Sequence, residues 1–188
     1  MKPKFVISCH ADTGFRKHRL TRMPDGNVYG HLDNFVGVHA VMNAYFSGRL
    51  DVPGVRIELT YGEETDMAGA KEVRKTLSPD DVVVVDVTGI DTAADLTIEK
   101  CDTPVMQVFV HTALEGMSYV LFPDCPDPIA NEDESDVYRK RLENVFFLGI
   151  PCQGGDYNAG RVSCRETSIA AATEAIIRLA TTFQSRRG

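Results

Sequence analysis

"DDVVVVDVTG", residues 80–89, contains the most apolar run of the chain and decides its fold. Four consecutive valines are followed by a single carboxylate, Asp86, and polar residues bound the run. A short continuous run of β-branched residues is typical of a strand that is covered on both faces. A carboxylate behind four valines is costly to bury unless it is paired or bound to a metal ion. The stretch therefore predicts a strand covered on both faces whose acid is paired or bound to a metal ion.

Predicted strands and helices alternate on both sides of this segment. The further predicted strands are 4–9, 27–30, 55–61, 95–100, 104–112 and 144–149, and segment 118–122 is ambiguous. The predicted helices are 34–47, 66–77, 135–143 and 164–183, with loops at 16–26, 124–136 and 149–160. This alternation predicts an α/β fold, a three-layer α/β/α sandwich around a mixed, mostly parallel sheet.

Composition limits the class of protein and its partners. The chain has 188 residues, which predicts one domain over residues 1–188. Its net charge is −7 with no basic block, so we expect no nucleic-acid partner. No apolar run reaches ~18 residues, so we expect no membrane partner, and the first strand-like run is too short for a signal peptide. Five cysteines without a C-x-x-C pair favour a reducing, cytoplasmic location over a disulfide framework.

Imidazole and carboxylate side chains follow four of the predicted strands. They are His10 and Asp12 in "CHADTGF", His31 and Asp33 in "YGHLDNFVG", Glu63 and Glu64 in "YGEETDMAGA", and Asp86 in "VVVVDVTG". Ligands of open α/β sheets gather beyond the carboxyl ends of the strands, so we expect these side chains to meet at one edge. Imidazole and carboxylate together suit zinc, manganese or cobalt.

Each of these residues also has a simpler interpretation. His10 could be an ordinary, partly buried histidine. Asp33 could be the N-cap of helix 34–47, because aspartate is a preferred cap. Glu63 and Glu64 could lie in an exposed turn where water screens their repulsion. Asp86 is harder to explain without a cation, and the combination is more specific than its parts.

Together the four segments resemble the di-zinc exopeptidases, the superfamily of aminopeptidases, carboxypeptidases and N-acyl amino-acid deacylases. "HADTGF" is similar to the H-x-D element of that family, and "DGNVYGHLDNFVG" to its Gly-x-x-Asp-Asn element, which opens a helix. "YGEETDMAGA" is similar to its Glu-Glu element, and "VVVVDVTG" to its fourth strand-end aspartate. Order and spacing agree across roughly residues 5–90, and the match fades between residues 100 and 145.

The resemblance implies a set of metal ligands. Asp33 would bridge two ions, His10 and Asp86 would complete one site, and Glu64 would bind the second ion. The implied cofactor is zinc, as one or two ions, with manganese or cobalt as alternatives.

The resemblance also implies the catalytic residues. Glu63 would be the general base. Asp12 would not bind the metal itself but would orient the ring of His10, which does. Two metal ions ~3.5–4 Å apart lower the pKa of a bridging water to about 7. Adjacent glutamates are then explained, because Glu64 binds metal while Glu63 takes the proton of the water.

The chain departs from this family at its last metal ligand, a histidine before the final helix. The segment "GIPCQGGDYNAGRVSCRETSI" has no histidine, and Cys164 occupies the corresponding position. Thiolate is a good zinc ligand, so Cys164 is a candidate for the missing ligand. Alternatively, Ser163 and Glu166 form a capping box, and Cys164 is simply the first helical residue.

A second departure is the absence of an inserted lid domain. Asp12 and Asp33 are only 21 residues apart, so we expect a bare catalytic domain whose pocket depends on loops or on a neighbouring subunit of a homo-oligomer.

The resemblance implies a metal-dependent hydrolase that cleaves an amide bond of a small peptide or an acylated amino acid. An aminopeptidase or related exopeptidase, an N-acyl amino-acid deacylase, and a degraded relative that binds metal or peptide without turnover all stay open. The presence of Glu63 favours an active enzyme, whereas the missing histidine favours the relative that has lost its activity.

Overall fold

The computed structural model describes residues 4–77, 80–126 and 132–186, where nine strands form one mixed sheet and five helices cover it. The strands are β1 Phe5–His10, β2 Leu20–Arg22, β3 Asn27–Gly30, β4 Val55–Thr60, β5 Asp81–Thr88, β6 Leu96–Glu99, β7 Tyr119–Leu121, β8 Val145–Gln153 and β9 Val162–Arg165. The helices are α1 Phe35–Phe46, α2 Ala68–Thr76, α3 Pro104–Ala113, α4 Glu134–Arg139 and α5 Glu166–Ser185.

The direction of the strands sets where their ends meet. The main path of the sheet is β2-β3-β9-β8-β5-β1-β4, and β6 pairs with β8 and β7. Strands β4, β1, β5 and β8 are mutually parallel. Strand β9 is antiparallel to both β8 and β3, so β3 runs in the direction of the parallel group. The carboxyl ends of β1, β3, β4 and β5 therefore lie at one edge of the sheet.

Two apolar layers cover the sheet and confirm the predicted three-layer α/β fold. Val83 and Val85 pack in the layer that contains the buried faces of α1, α3 and α5. Val82 and Val84 pack in the other, with Ala70 of α2 and Val137 of α4. Strand β5 is buried along its whole length, as its run of valines predicts, because alternate side chains of a strand point to opposite faces.

The segment 104–112, predicted as a strand, is instead the helix α3. The Thr103 hydroxyl accepts a hydrogen bond from the backbone N–H of Met106, and Pro104 occupies the first turn. Both features favour a helix start. The buried residues of α3 are Met106, Phe109, Val110 and Ala113, at helical rather than alternating spacing.

The region before the last helix also differs from the prediction. Strand β8 continues to Gln153 instead of ending at residue 149, and residues 162–165 form β9. Helix α5 begins at Glu166 after Arg165, with no side-chain cap. The prediction of a capping box formed by Ser163 and Glu166 is therefore wrong, and Cys164 is not the first helical residue.

The ambiguous segment 118–122 contains β7, and the predicted loop 16–26 contains β2. In the described part of the chain, no helix is long and apolar enough to cross a membrane.

Candidate metal centre

Three of the predicted ligands, His10, Asp33 and Asp86, converge at the carboxyl edge of the sheet. His10 Nε2 lies 3.2 Å from Asp33 Oδ1 and 3.2 Å from Asp86 Oδ2. All three residues are buried, and one ligand atom from each lies within 4.8 Å of the others. Within the described ranges this is the one group of three such side chains.

Neighbouring strands and a capped turn hold these side chains. His10 is the last residue of β1, and Asp86 lies in the adjacent β5, two residues before that strand ends. Asp33 precedes α1 and is joined to Asn34 by a cis peptide bond. Asn34 Oδ1 accepts from the N–H of Gly37 at 3.1 Å, and Asn34 Nδ2 donates to the carbonyl of Val85 at 2.9 Å. Asn34 is therefore the N-cap of α1, and the alternative that Asp33 serves as that cap is wrong.

A compact turn after β4 carries the paired glutamates. Gly62 has φ +77°, a conformation that favours glycine, and its carbonyl accepts hydrogen bonds from the N–H groups of Thr65, Asp66 and Met67. The N–H of Glu63 approaches Asp12 Oδ1 at 3.4 Å. The turn points Glu63 into the cleft that Asp33 and Asp86 also line.

Burial and charge shift the proton equilibria of this site. Burial alone would lower the pKa of His10, but the charge of Asp86 and the close approach of Asp33 and Asp86 raise it to about 12. Burial raises the pKa of Asp86 to about 7, against the opposing charge of His10. Burial and then the charge of Asp86 raise the pKa of Glu63 to about 8. Glu63 is therefore not an ordinary solvated turn residue.

The donor atoms fit a divalent metal ion. Both ring nitrogens of His10 and one oxygen of Asp33 are buried without a well-aligned hydrogen-bond partner, and so is Glu64 Oε1. Buried polar atoms in this state are rare unless an ion or water satisfies them. One imidazole with carboxylates is a donor set that zinc accepts, as do manganese and cobalt. Asp12 Oδ1 lies 3.5 Å from His10 Nδ1, where it can orient the ring.

Two predicted ligands, Glu64 and Cys164, stand outside the group of three. Glu64 lies beside Gly14, and burial raises the pKa of its carboxyl, against the lowering effect of the Gly14 backbone N–H. Cys164 is buried in β9, opposite Val28 of β3 and Cys152 of β8, and its thiol donates to the carbonyl of Arg165 at 3.5 Å. The structure does not bring Glu64 or Cys164 together with the three, so their metal binding stays a prediction.

A cleft of about 530 Å³ opens beside the three ligands. Its carboxylates are Asp33, Glu63, Asp86, Glu99, Glu132, Asp133 and Asp156, and its described lining includes no lysine or arginine. Sequence reasoning missed Glu99, which is 5 % exposed and accepts a hydrogen bond from Thr97 Oγ1 at 2.5 Å. Glu99 reaches the cleft because β6 pairs antiparallel with β8, and no local sequence signal predicts that pairing.

The sequence matches no known family profile and no curated protein. The structure, in contrast, resembles solved structures. PhTET1-12s, described as a dodecamer, has a TM-score of 0.73 at 16% identity, over 87% of this chain and 53% of that one. The three-layer α/β fold of this chain is similar to the fold of that structure.

Two other structures with this fold are aminopeptidases by description. An aminopeptidase from the archaeon Desulfurococcus kamchatkensis has a TM-score of 0.69 at 16% identity, covering 91% of this chain and 55% of that one. An M18-family aminopeptidase from Thermotoga maritima has a TM-score of 0.66 at 12% identity, covering 87% and 48%. At these identities the likeness shows the fold alone. The chain spans about half the length of these structures.

Proposed function

We propose that this chain is a zinc-dependent hydrolase that removes the N-terminal residue of small peptides. The observation that carries the proposal is the buried group of His10, Asp33 and Asp86 beside Glu63, on an aminopeptidase-like fold. Two carboxylates meet one histidine nitrogen there without an aligned hydrogen bond, as the donor atoms around a cation do.

In the proposed reaction each residue of the chain has a role. A bound zinc ion would supply Lewis-acid activation of water and of the scissile carbonyl. His10, Asp33 and Asp86 would hold the first ion, and Glu64 with Cys164 would contribute to a second. Glu63 accepts a proton from the attacking water and delivers it to the departing amine.

The charge of the cleft favours an aminopeptidase over the other open alternatives. An acidic lining attracts the ammonium group of a peptide N-terminus. It repels the free carboxylate that carboxypeptidase substrates and N-acyl amino acids present, and no described lysine or arginine lines the cleft to receive it. The deciding assay compares leucine p-nitroanilide with N-acetyl-leucine in the presence of zinc, manganese or cobalt. Cleavage of N-acetyl-leucine alone would support the deacylase.

A degraded relative that binds metal without turnover is the second candidate. Its support is the position of Cys164 outside the ligand group and the lack of another histidine in that region. The one histidine that follows Asp86 in the sequence is His111, which lies on α3, where its ring contacts the hydroxyl of Tyr119. Metal analysis of the purified protein separates the two, because about two zinc ions per chain support the hydrolase. One ion or none, together with no peptide cleavage, supports the degraded relative.

We further propose that residues 1–188 act as a single catalytic domain without an inserted lid, in the cytoplasm. PhTET1-12s and S. cerevisiae mApe1 are described as dodecamers. By analogy, we propose a homo-oligomer in which a neighbouring subunit helps to close the cleft. Light scattering of the purified chain tests this assembly.

A further inference from the structure

Cys152 of β8 and Cys164 of β9 face each other across an antiparallel strand pair. They are 3 % and 1 % exposed, and Cys164 is close enough to Cys152 to be the main influence on the pKa of its thiol. No disulfide joins them. Directly opposed residues in antiparallel strands have Cα atoms about 4.5–5.5 Å apart, inside the range of about 4.4–6.8 Å that a disulfide spans. The backbone already has a separation that a cross-link requires.

We propose that Cys152 and Cys164 form a redox modification site, an internal disulfide made by a peroxide. One thiol is oxidised by hydrogen peroxide to a sulfenic acid, and one water molecule leaves. The sulfur of the second thiol then attacks the sulfenic sulfur, and the hydroxyl group departs with the thiol proton as a second water. Two S–H bonds are lost, one S–S bond forms, and peroxide accepts the two electrons.

A small oxidant would reach this pair through local separation of β9 from β8, although β9 is also paired with β3 along its whole length. Strand β9 pairs with β8 at only two positions, and the connecting loop contains Gly154 and Gly155 with φ of +100° and +135°. The nearby Cys164, together with burial, raises the pKa of the Cys152 thiol. Because the thiolate is the reactive form, the reaction is slow, and proximity rather than thiol acidity makes it selective.

The cross-link would act on one wall of the cleft. The loop that it closes, residues 153–163, supplies Asp156, Tyr157 and Asn158 to the cleft lining. Fixing the base of this loop reduces its conformational freedom. A disulfide also removes Cys164 as a candidate thiolate ligand, and this second consequence alone rests on the proposed function.

The test uses the full chain, treated with hydrogen peroxide and then alkylated under denaturing conditions. Trypsin digestion without reduction should yield peptide 142–161 joined to peptide 162–165, because cleavage after Arg141, Arg161 and Arg165 separates the two cysteines. The linked species should lack two hydrogen atoms relative to the separate peptides and should disappear on reduction. The oxidised protein should also melt higher, on the order of 5 °C.

Matched variants test which cysteines form the disulfide. Cys125→Ser, which changes a more exposed cysteine outside the pair, should keep the linked peptides, and Cys152→Ser should lose them. Recovery of Cys152 and Cys164 as separately alkylated peptides from wild-type protein whose Cys125 is oxidised would overturn the proposal. So would linkage of either residue to another cysteine. The readout is a peptide mass, so its failure is distinguishable from the absence of peptidase activity.

Discussion

Glu63 is the residue on which the proposed turnover depends most. It lines the cleft with Asp33 and Asp86 but does not belong to the ligand group. We expect Glu63→Gln to lower kcat on a p-nitroanilide substrate by on the order of 10²–10⁴, because the amide cannot take the proton of the water. Zinc content should stay at the wild-type level. Asp86→Asn is the contrasting variant and should lose zinc as well as activity. Wild-type rates in Glu63→Gln would remove it from the mechanism.

Cys164 tests the departure from the exopeptidase family. We expect Cys164→Ser to leave the ion at His10, Asp33 and Asp86 in place, because the group forms without the sulfur. Cys164→His should raise the zinc content if a histidine at this position can complete the second site. Elemental analysis after gel filtration measures both. Loss of all zinc in Cys164→Ser would show that the sulfur holds the first ion.

The meeting of three side chains at the carboxyl edge of the sheet could be predicted from the ends of strands, whereas their metal binding stays a prediction. His10, Asp33 and Asp86 converge as "CHAD", "HLDN" and "VVVVDV" indicate, since parallel strands bring their carboxyl ends to one edge. Glu99 and the Cys152–Cys164 pair could not be predicted in the same way. Both depend on which strands lie on the second side of β8, and this pairing is not encoded in any local pattern.

At the scale of elements, Gly149 lets β5, β8 and β6 approach each other below the site. A Cβ atom at Gly149 would lie 2.1 Å from Thr97 Oγ1 and 2.7 Å from Thr88 Cγ2. We expect Gly149→Ala to reduce the free energy of unfolding by about 1–3 kcal/mol, as overpacking does. Urea denaturation measures the change. A Cβ atom at Gly160 would lie 3.2 Å from its nearest neighbour, the carbonyl oxygen of Asp156. Gly160→Ala should therefore lower the free energy of unfolding by less than Gly149→Ala. Equal losses of stability in the two variants would contradict this account.

The elements that sequence reasoning misassigned were those with weak or mixed local signals. Segment 104–112 has an apolar run with three valines, which favours a strand, but Thr103 and Pro104 start a helix that packs against α5. Strand β9 has only four residues and pairs along its whole length with β3, which is distant in sequence. Burial in the tertiary structure overrides local propensity in both cases.

For the whole molecule, metal affinity should depend steeply on pH. The pKa values of His10 and Asp86 are raised to about 12 and about 7, so these candidate ligands hold protons at neutral pH in the metal-free protein. Ligands must lose these protons to bind a cation, so affinity should rise with pH and fall as pH drops. Between about pH 6 and 8, we expect the metal affinity to rise about tenfold per pH unit for each proton that binding releases. Competition with a chromophoric chelator measures this, and a flat profile would contradict it.

The charge of the whole cleft should set the preferred N-terminal residue. Lysine p-nitroanilide brings a second cation into a cleft lined by carboxylates, whereas glutamate p-nitroanilide brings an anion. We expect kcat/KM to be higher for the lysine substrate by at least about tenfold, the ratio that ~1.4 kcal/mol produces. Leucine p-nitroanilide is the neutral reference. A preference for the glutamate substrate would show that the acidic lining does not face the side chain.

The three ligands come from positions 10, 33 and 86, and β1, the turn before α1 and β5 must all be in place before they meet. No fragment of the chain that lacks one of these segments contains the complete group. The centre is therefore complete only when the long-range strand pairs have closed. On the proposed function, an ion that binds only there would draw the equilibrium towards the native state by mass action. Supply of the ion during synthesis would then set not only how many chains can react but also how many escape proteolysis.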